Sequence, residues 1–198
     1  NINASQYGIR LGAAGADINQ IATAGTVNIT AGNIAINLAV GGAKINTLGA
    51  GGIVNITAGT QGLNLAVPGN KITTIGLGGT VTITSVQEAI KVASDAEITT
   101  LGGKDSHVII TQNTGENAYL RTIDNVGTID TIGGENAVVE ITQNYQYTPG
   151  GSGKNPEVLN TSGTINRIGG LNAKVLIEQN AASGAGFGLR VDGGEVKK

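Results

Sequence analysis

The sequence predicts an all-β fold, a right-handed single-stranded parallel β-helix (β-solenoid) of about six to seven coils, each roughly 27 residues long with three short strands. Three observations point there. An apolar anchor recurs as Ile18/Ile21, Ile45/Leu48, Ile72/Ile75, Ile98/Leu101, Ile129/Ile132 and Ile165/Ile168, at intervals of 27, 27, 26, 31 and 36 residues. From the second copy onward each anchor runs into glycine and then into a second alternation: Val54/Ile56, Val81/Ile83, Val108/Ile110, Val139/Ile141 and Val175/Ile177. No stretch of ten residues carries a helical period bounded by caps, so crossover helices are not expected.

The first anchor is followed by the same alternation at Val27/Ile29. A third alternation completes the coil, read at Ile9/Leu11, Ile36/Leu38, Leu63/Leu65, Ile90/Val92 and Leu189/Val191. Period-2 patterning means strands with one buried face. Three such strands cannot bury their inward faces alone; stacking coils buries them and sets Ile on Ile and Val on Val. At about 4.8 Å per coil the rod is roughly 30 Å long. A left-handed hexapeptide solenoid needs an 18-residue coil, which these intervals do not fit. Residues 1–198 read as one domain, with regular coils over 1–97 and loop insertions over 98–198. The largest insertion spans 145–156, and neither end shows an evident cap.

Composition agrees with this reading. Gly supplies 33 residues, while there is one Phe, no Trp, Met or Cys, and 13% charge. A disordered chain is charged and poor in Ile and Val; this one is neither. The net charge of −2 gives no basic face for nucleic acid. No apolar run reaches the ~18 residues of a membrane span. Without cysteine and with a single histidine, His107, disulfides and most zinc sites are excluded. No metal or other cofactor is expected.

The outward positions supply the candidate sites. Gly102-Gly103, Gly133-Gly134 and Gly169-Gly170 align the last coils, placing Asn113, Asn144 and Asn180 one above another, where stacked amides form a structural ladder. The 145–156 insertion carries Tyr145, Tyr147 and Lys154, a candidate loop for a sugar ring or a neighbouring subunit. Tyr119 and Arg121 fall on a shorter, related insertion. Threonine ranks on the second alternation (Thr26, Thr30, Thr57, Thr80, Thr82, Thr84) resemble those of ice-binding solenoids, over three coils only. A sparse cationic column reads Arg10, Asn37, Asn64, Lys91 and, after a gap, Arg190. β-Helix enzymes need outward carboxylates placed together. Asp105, Asp130, Glu140 and Glu178 do not fall into shared columns on adjacent coils, so no catalytic residue is assigned and a polysaccharide-degrading enzyme is the least expected reading.

The two termini read as complementary. Asn1-Ile2-Asn3-Ala4 matches Asn28-Ile29-Thr30-Ala31, and the segment from Val191 through Val196 to Lys198 matches Val40 to Thr47. Head to tail they cover 20 of the 27 positions of a coil, the remainder corresponding to Leu48 through Val54. Asn1, Ile2, Asn3, Val191, Val196 and Lys198 are therefore the expected end-to-end assembly residues, the partner being a second copy of the chain.

The Ile-x-x-Ile-Gly-Gly anchors with Val-x-Ile-Thr strands resemble the secreted β-helices of bacterial adhesins, the autotransporter passengers and filamentous-haemagglutinin-type proteins. That resemblance implies an extracellular or cell-surface location, prokaryotic, and carries no functional residue across. The expected role is structural, a subunit of a fibre or an adhesin stalk. The alternative is a module that binds a glycan or cell surface through the 145–156 loop.

Overall fold

The computed structural model describes residues 1–114, 121–145, 157–181 and 187–197. The path repeats coil by coil. The first coil holds β1 (Ile2–Ala4), β2 (Tyr7–Leu11) and β3 (Asp17–Ile21), and the second β4 (Thr26–Ala31), β5 (Ile34–Leu38) and β6 (Lys44–Ala50). The third holds β7 (Ile53–Ala58), β8 (Gln61–Leu65) and β9 (Lys71–Leu77), and the fourth β10 (Thr80–Ser85), β11 (Ile90–Val92) and β12 (Glu97–Leu101). The fifth holds β13 (His107–Thr114), β14 (Arg121–Asn125) and β15 (Thr128–Ile132). The sixth holds β16 (Val138–Tyr145), β17 (Glu157–Thr161) and β18 (Thr164–Ile168), and the last β19 (Lys174–Ala181), β20 (Phe187–Val191) and β21 (Glu195–Val196).

Strands one coil apart pair in parallel, so the described residues form three seven-stranded sheets: β1 to β19, β2 to β20 and β3 to β21, each taken every third strand. The chain is a parallel β-solenoid. Its register sets like on like. In the first sheet Ile2, Ile29, Ile56, Ile83, Ile110, Ile141 and Ile177 are successive partners. The third sheet does the same with Ile18, Ile45, Ile72, Ile98, Ile129, Ile165 and Val196. From Ile29 to Ile141, and from Ile45 to Ile165, these residues are buried. Burying one such side chain contributes about 1.5–3 kcal/mol, and the coils repeat that gain along the axis.

Corners are where the sequence must accommodate close backbone. Leaving the third sheet, Gly49, Gly76, Gly102, Gly133 and Gly169 adopt φ between +72° and +85°, a region that costs a side chain its Cβ clearance. In the later coils the same corner adds Asp105, Asn136 and Asn172 at φ 54–55°, the residue types that best tolerate the left-handed region. Between the first and second sheets the tight corners stack glycine on glycine: a Cβ on Gly59 would lie 2.1 Å from the Gly32 carbonyl oxygen.

Two strands differ from the sequence expectation. Residues 121–125 and 157–161 pair as β14 and β17, although the alternation was legible only in the other coils. Arg121 therefore opens a strand instead of sitting in an insertion. The reason is an inward column that changes character: Leu11, Leu38, Leu65 and Val92 give way to Asn125 and Thr161 before Val191 restores it. Both polar residues are fully buried. Asn125 Nδ2 donates to Thr161 Oγ1 at 3.3 Å and to the Thr164 carbonyl at 3.0 Å, which offsets the desolvation of its NH2 group.

Two paired substitutions test this architecture by melting temperature. Ile72→Ala empties a fully buried column site and is expected to cost about 2–5 kcal/mol, while Ile53→Ala, at a site 44% exposed, costs under about 1 kcal/mol. Gly59→Ala drives a methyl into backbone and is strongly destabilising. Gly25→Ala, with nothing within 4 Å of its Cβ position, is near neutral.

Candidate functional site

The corner from the first to the second sheet is where the chain departs most from regularity. In the first three coils this corner is short, and the last inward position of the first sheet is Ala4, Ala31 and Ala58. Going up the rod the same column becomes Ser85, Gln112, Gln143 and Gln179. Gln112 and Gln143 are fully buried. Gln143 Nε2 donates to Gln112 Oε1 at 2.9 Å, Gln179 Nε2 to Gln143 Oε1 at 2.6 Å, and the Thr122 hydroxyl to Gln112 Oε1 at 2.9 Å. The longer connections of these coils, residues 115–120, 146–156 and 182–186, all leave at this corner, joining β13 to β14, β16 to β17 and β19 to β20. The glutamines enter the column in the same coils whose connections are longer.

Beside this internal ladder runs an outer one. Asn144 Nδ2 donates to Asn113 Oδ1 at 2.8 Å and Asn180 Nδ2 to Asn144 Oδ1 at 3.1 Å. Tyr145 is the last residue of β16, paired with Thr114 below and Ala181 above. Tyr147 and Lys154, like Tyr119, lie outside the described residues.

The second sheet carries a charge cluster on its outer face. The cationic column seen in the sequence has no gap: Arg10, Asn37, Asn64 and Lys91 continue through Asp124 and Asn160 to Arg190. Glu157, 5% exposed, sits at its centre. It accepts from Arg121 Nε at 3.3 Å, Arg190 Nη1 at 2.5 Å and Asn160 Nδ2 at 2.6 Å. Arg121 also reaches Asp124 at 2.8 Å, and Arg190 reaches Asp192 at 2.9 Å. Hydrogen bonds to Asp192 first, then to Glu157, raise the Arg190 pKa above its ordinary value. Nearly every charge here has a partner of opposite sign, which is what makes partial burial tolerable. The cluster was hidden in the sequence because β14 and β17 were. The one available signal was spacing: Ile123 and Leu159 are 36 residues apart, the same interval as the anchors Ile129 and Ile165.

Elsewhere the outward carboxylates sit in isolated pairs. His107 Nε2 lies 3.4 Å from Glu140 Oε1, and Asp105 and Asp130 accept amide hydrogens from Asn136 and Asn166 at 2.8 and 2.7 Å. Glu97 accepts the Thr99 hydroxyl at 2.6 Å and the Lys71 ammonium at 2.9 Å. These contacts, the threonine first, lower its pKa. The threonine column of the first sheet extends further than three coils: Thr30, Thr57, Thr84, Thr111 and Thr142 are successive partners.

The remaining candidates lie at the ends. Strands β1, β2 and β3 at one edge and β19, β20 and β21 at the other each have a single described neighbour. Asn1 and Asn3 are exposed and Ile2 half-buried; Asn1 Oδ1 accepts from Asn28 Nδ2 at 2.8 Å. Val191 is 42% exposed and Val196 half-buried, while Lys198 lies outside the described residues. No protein-family model matches the chain, and comparison with curated proteins and with solved structures returns no match.

The ladders make two predictions. Gln143→Ala removes a fully buried amide that bonds to Gln112 below, Gln179 above and the Glu157 carbonyl, and is expected to cost about 2–3 kcal/mol, against under about 1 kcal/mol for the half-buried Asn144→Ala, read by thermal unfolding. For Glu97 the folded pKa is depressed, so its contribution is present above the unfolded value and lost as pH falls through the folded one. Any deficit of Glu97→Gln relative to wild type should therefore begin to shrink as pH falls below the ordinary glutamate pKa of 4.5 and vanish once pH is below the depressed folded value. At this half-exposed site the deficit is small at any pH.

Proposed function

We propose that the chain is a structural subunit of an extracellular or cell-surface assembly, a rod lengthened by pairing its open sheet edges with another copy of itself. The observation that carries this reading is the state of the edges. They present the same columns as the interior, with Ile2, Ile9 and Ile18 at one end and Ile177, Leu189 and Val196 at the other. Leu189 and Val191 are 38% and 42% exposed, and edge strands with apolar faces are templates for further pairing. A contact in which one end meets the opposite end does not close on itself, so it propagates as a fibre. The resemblance to bacterial adhesin β-helices and the low charge with abundant Gly and Asn favour the extracellular placement. A β-helical stalk, in which further coils continue the same edges, is the near variant of this role.

A second reading has one observation in its favour. The three long connections leave from the same corner on consecutive coils, and insertions gathered on one side of a repeat array are frequently its recognition side. On that reading the 145–156 loop engages a glycan, and deleting it abolishes signal on a glycan array.

The primary reading is tested by electron microscopy of the concentrated chain. Filaments one rod wide, with an axial repeat of about 4.8 Å in fibre diffraction, are expected, and monodisperse short rods overturn it. Ile2→Asp or Val196→Pro should abolish the filaments while lowering the melting temperature by no more than a few degrees, because each lies on a strand with one neighbour.

A further inference from the structure

Resting on the end-to-end reading, we infer that the two edges recognise each other through charge, with Arg10 of one copy completing the Glu157–Arg190–Asp192 cluster of the next. Continuing the observed register by one rung sets β1 on β19, β2 on β20 and β3 on β21. Arg10 then follows Arg190 in the same column, and Gly12 follows Asp192.

Taken alone, Arg10 over Arg190 is a like-charge pair, which opposes stacking. The surrounding groups reverse the balance. Arg190 is already engaged by Glu157 at 2.5 Å and by Asp192 at 2.9 Å. The cluster as a whole holds two guanidinium groups, Arg121 and Arg190, against three carboxylates, Asp124, Glu157 and Asp192, an excess of one negative charge. Asp192 carries that excess at the open edge, with a side chain 46% exposed.

The opposite edge is shaped to meet it. The Arg10 guanidinium is held 5.6 Å from the Tyr7 ring centroid, a cation–π contact that limits its freedom. Its Nη1 lies 3.7 Å from the Cβ position that Gly12 lacks. Because Gly12 has no side chain, the space facing Asp192 across the junction is left to the guanidinium. Arg10 then brings the cluster to three cations and three anions.

Two neighbouring positions bear on the same junction. Asn3 continues the column of Glu178, so an amide N–H meets a carboxylate. Asp17 follows Glu195, a like pair, but Glu195 is already matched by Lys197 at 3.4 Å. The junction therefore gains at Arg10 and Asn3 and is close to neutral at Asp17.

The test uses two charge reversals on the whole chain. Arg10→Glu and Asp192→Arg each set like charges across the junction, and each is expected to raise the concentration needed for filament formation on the order of tenfold. Mixed in equal amounts the two variants have complementary ends at every junction, so the mixture should assemble near the wild-type concentration as an alternating copolymer. Unchanged melting temperatures of the separate variants exclude a folding defect. Variants that assemble singly like wild type, or a mixture no better than either alone, overturn the inference while leaving end-to-end assembly in place. A wild-type chain that stays as single rods overturns the end-to-end reading, and this inference with it.

Discussion

The structure depends on one interaction: the backbone hydrogen bond between a strand and its equivalent one coil later, made in constant parallel register. Because that register is shared by all three sheets, each side chain has an equivalent directly above and below it, and the axial direction has only one residue type to satisfy at a time. Isoleucine stacks on isoleucine and is buried; asparagine on asparagine shares a donor and an acceptor. The same constraint forbids side chains where coils approach through backbone. The stack Ser5, Gly32 and Gly59 is an example, since an added Cβ meets the carbonyl of the coil below.

Polar groups follow the same rule inside and out. The outer amides of Asn1, Asn28 and Asn55 form a chain of 2.8 Å bonds, and those of Asn113, Asn144 and Asn180 form another. In each bond the later coil donates and the earlier one accepts. Buried Gln112 and Gln143 and half-buried Gln179 do likewise at the inner corner. Asn70 is a local solution of the same kind, with Oδ1 accepting from the Ala43 amide at 3.2 Å and Nδ2 donating to the Leu38 carbonyl at 2.5 Å. Such ladders keep a weakly charged surface hydrated without breaking the repeat.

Where the repeat loosens, it does so in one place. The first-to-second-sheet corner lengthens over the last three coils, and the adjoining sheet exchanges its apolar inward residues for Asn125 and Thr161 and sets the carboxylates Asp124 and Glu157 beside the cations Lys91 and Arg121 on its outward face. Length, interior filling and outer charge change together because they share a wall. The charged part of that wall reaches the last described coil at Arg190 and Asp192.

The sequence by itself determined the coil, its length and the identity of most inward residues. The anchors Ile18 to Ile165 and the Val-x-Ile alternation fix strand spacing, and a period of two admits only one face toward the core. It did not reveal β14 and β17, since polar residues at Asn125 and Thr161 erase the alternation, and their burial is possible only because a neighbouring coil supplies hydrogen-bond partners. Nor did it place Glu157 between Arg121 and Arg190, groups 36 and 33 residues away. Periodicity is a local property that a sequence carries openly. Which charges meet is decided by how many residues each corner inserts before the register resumes, and that is a property of the folded rod.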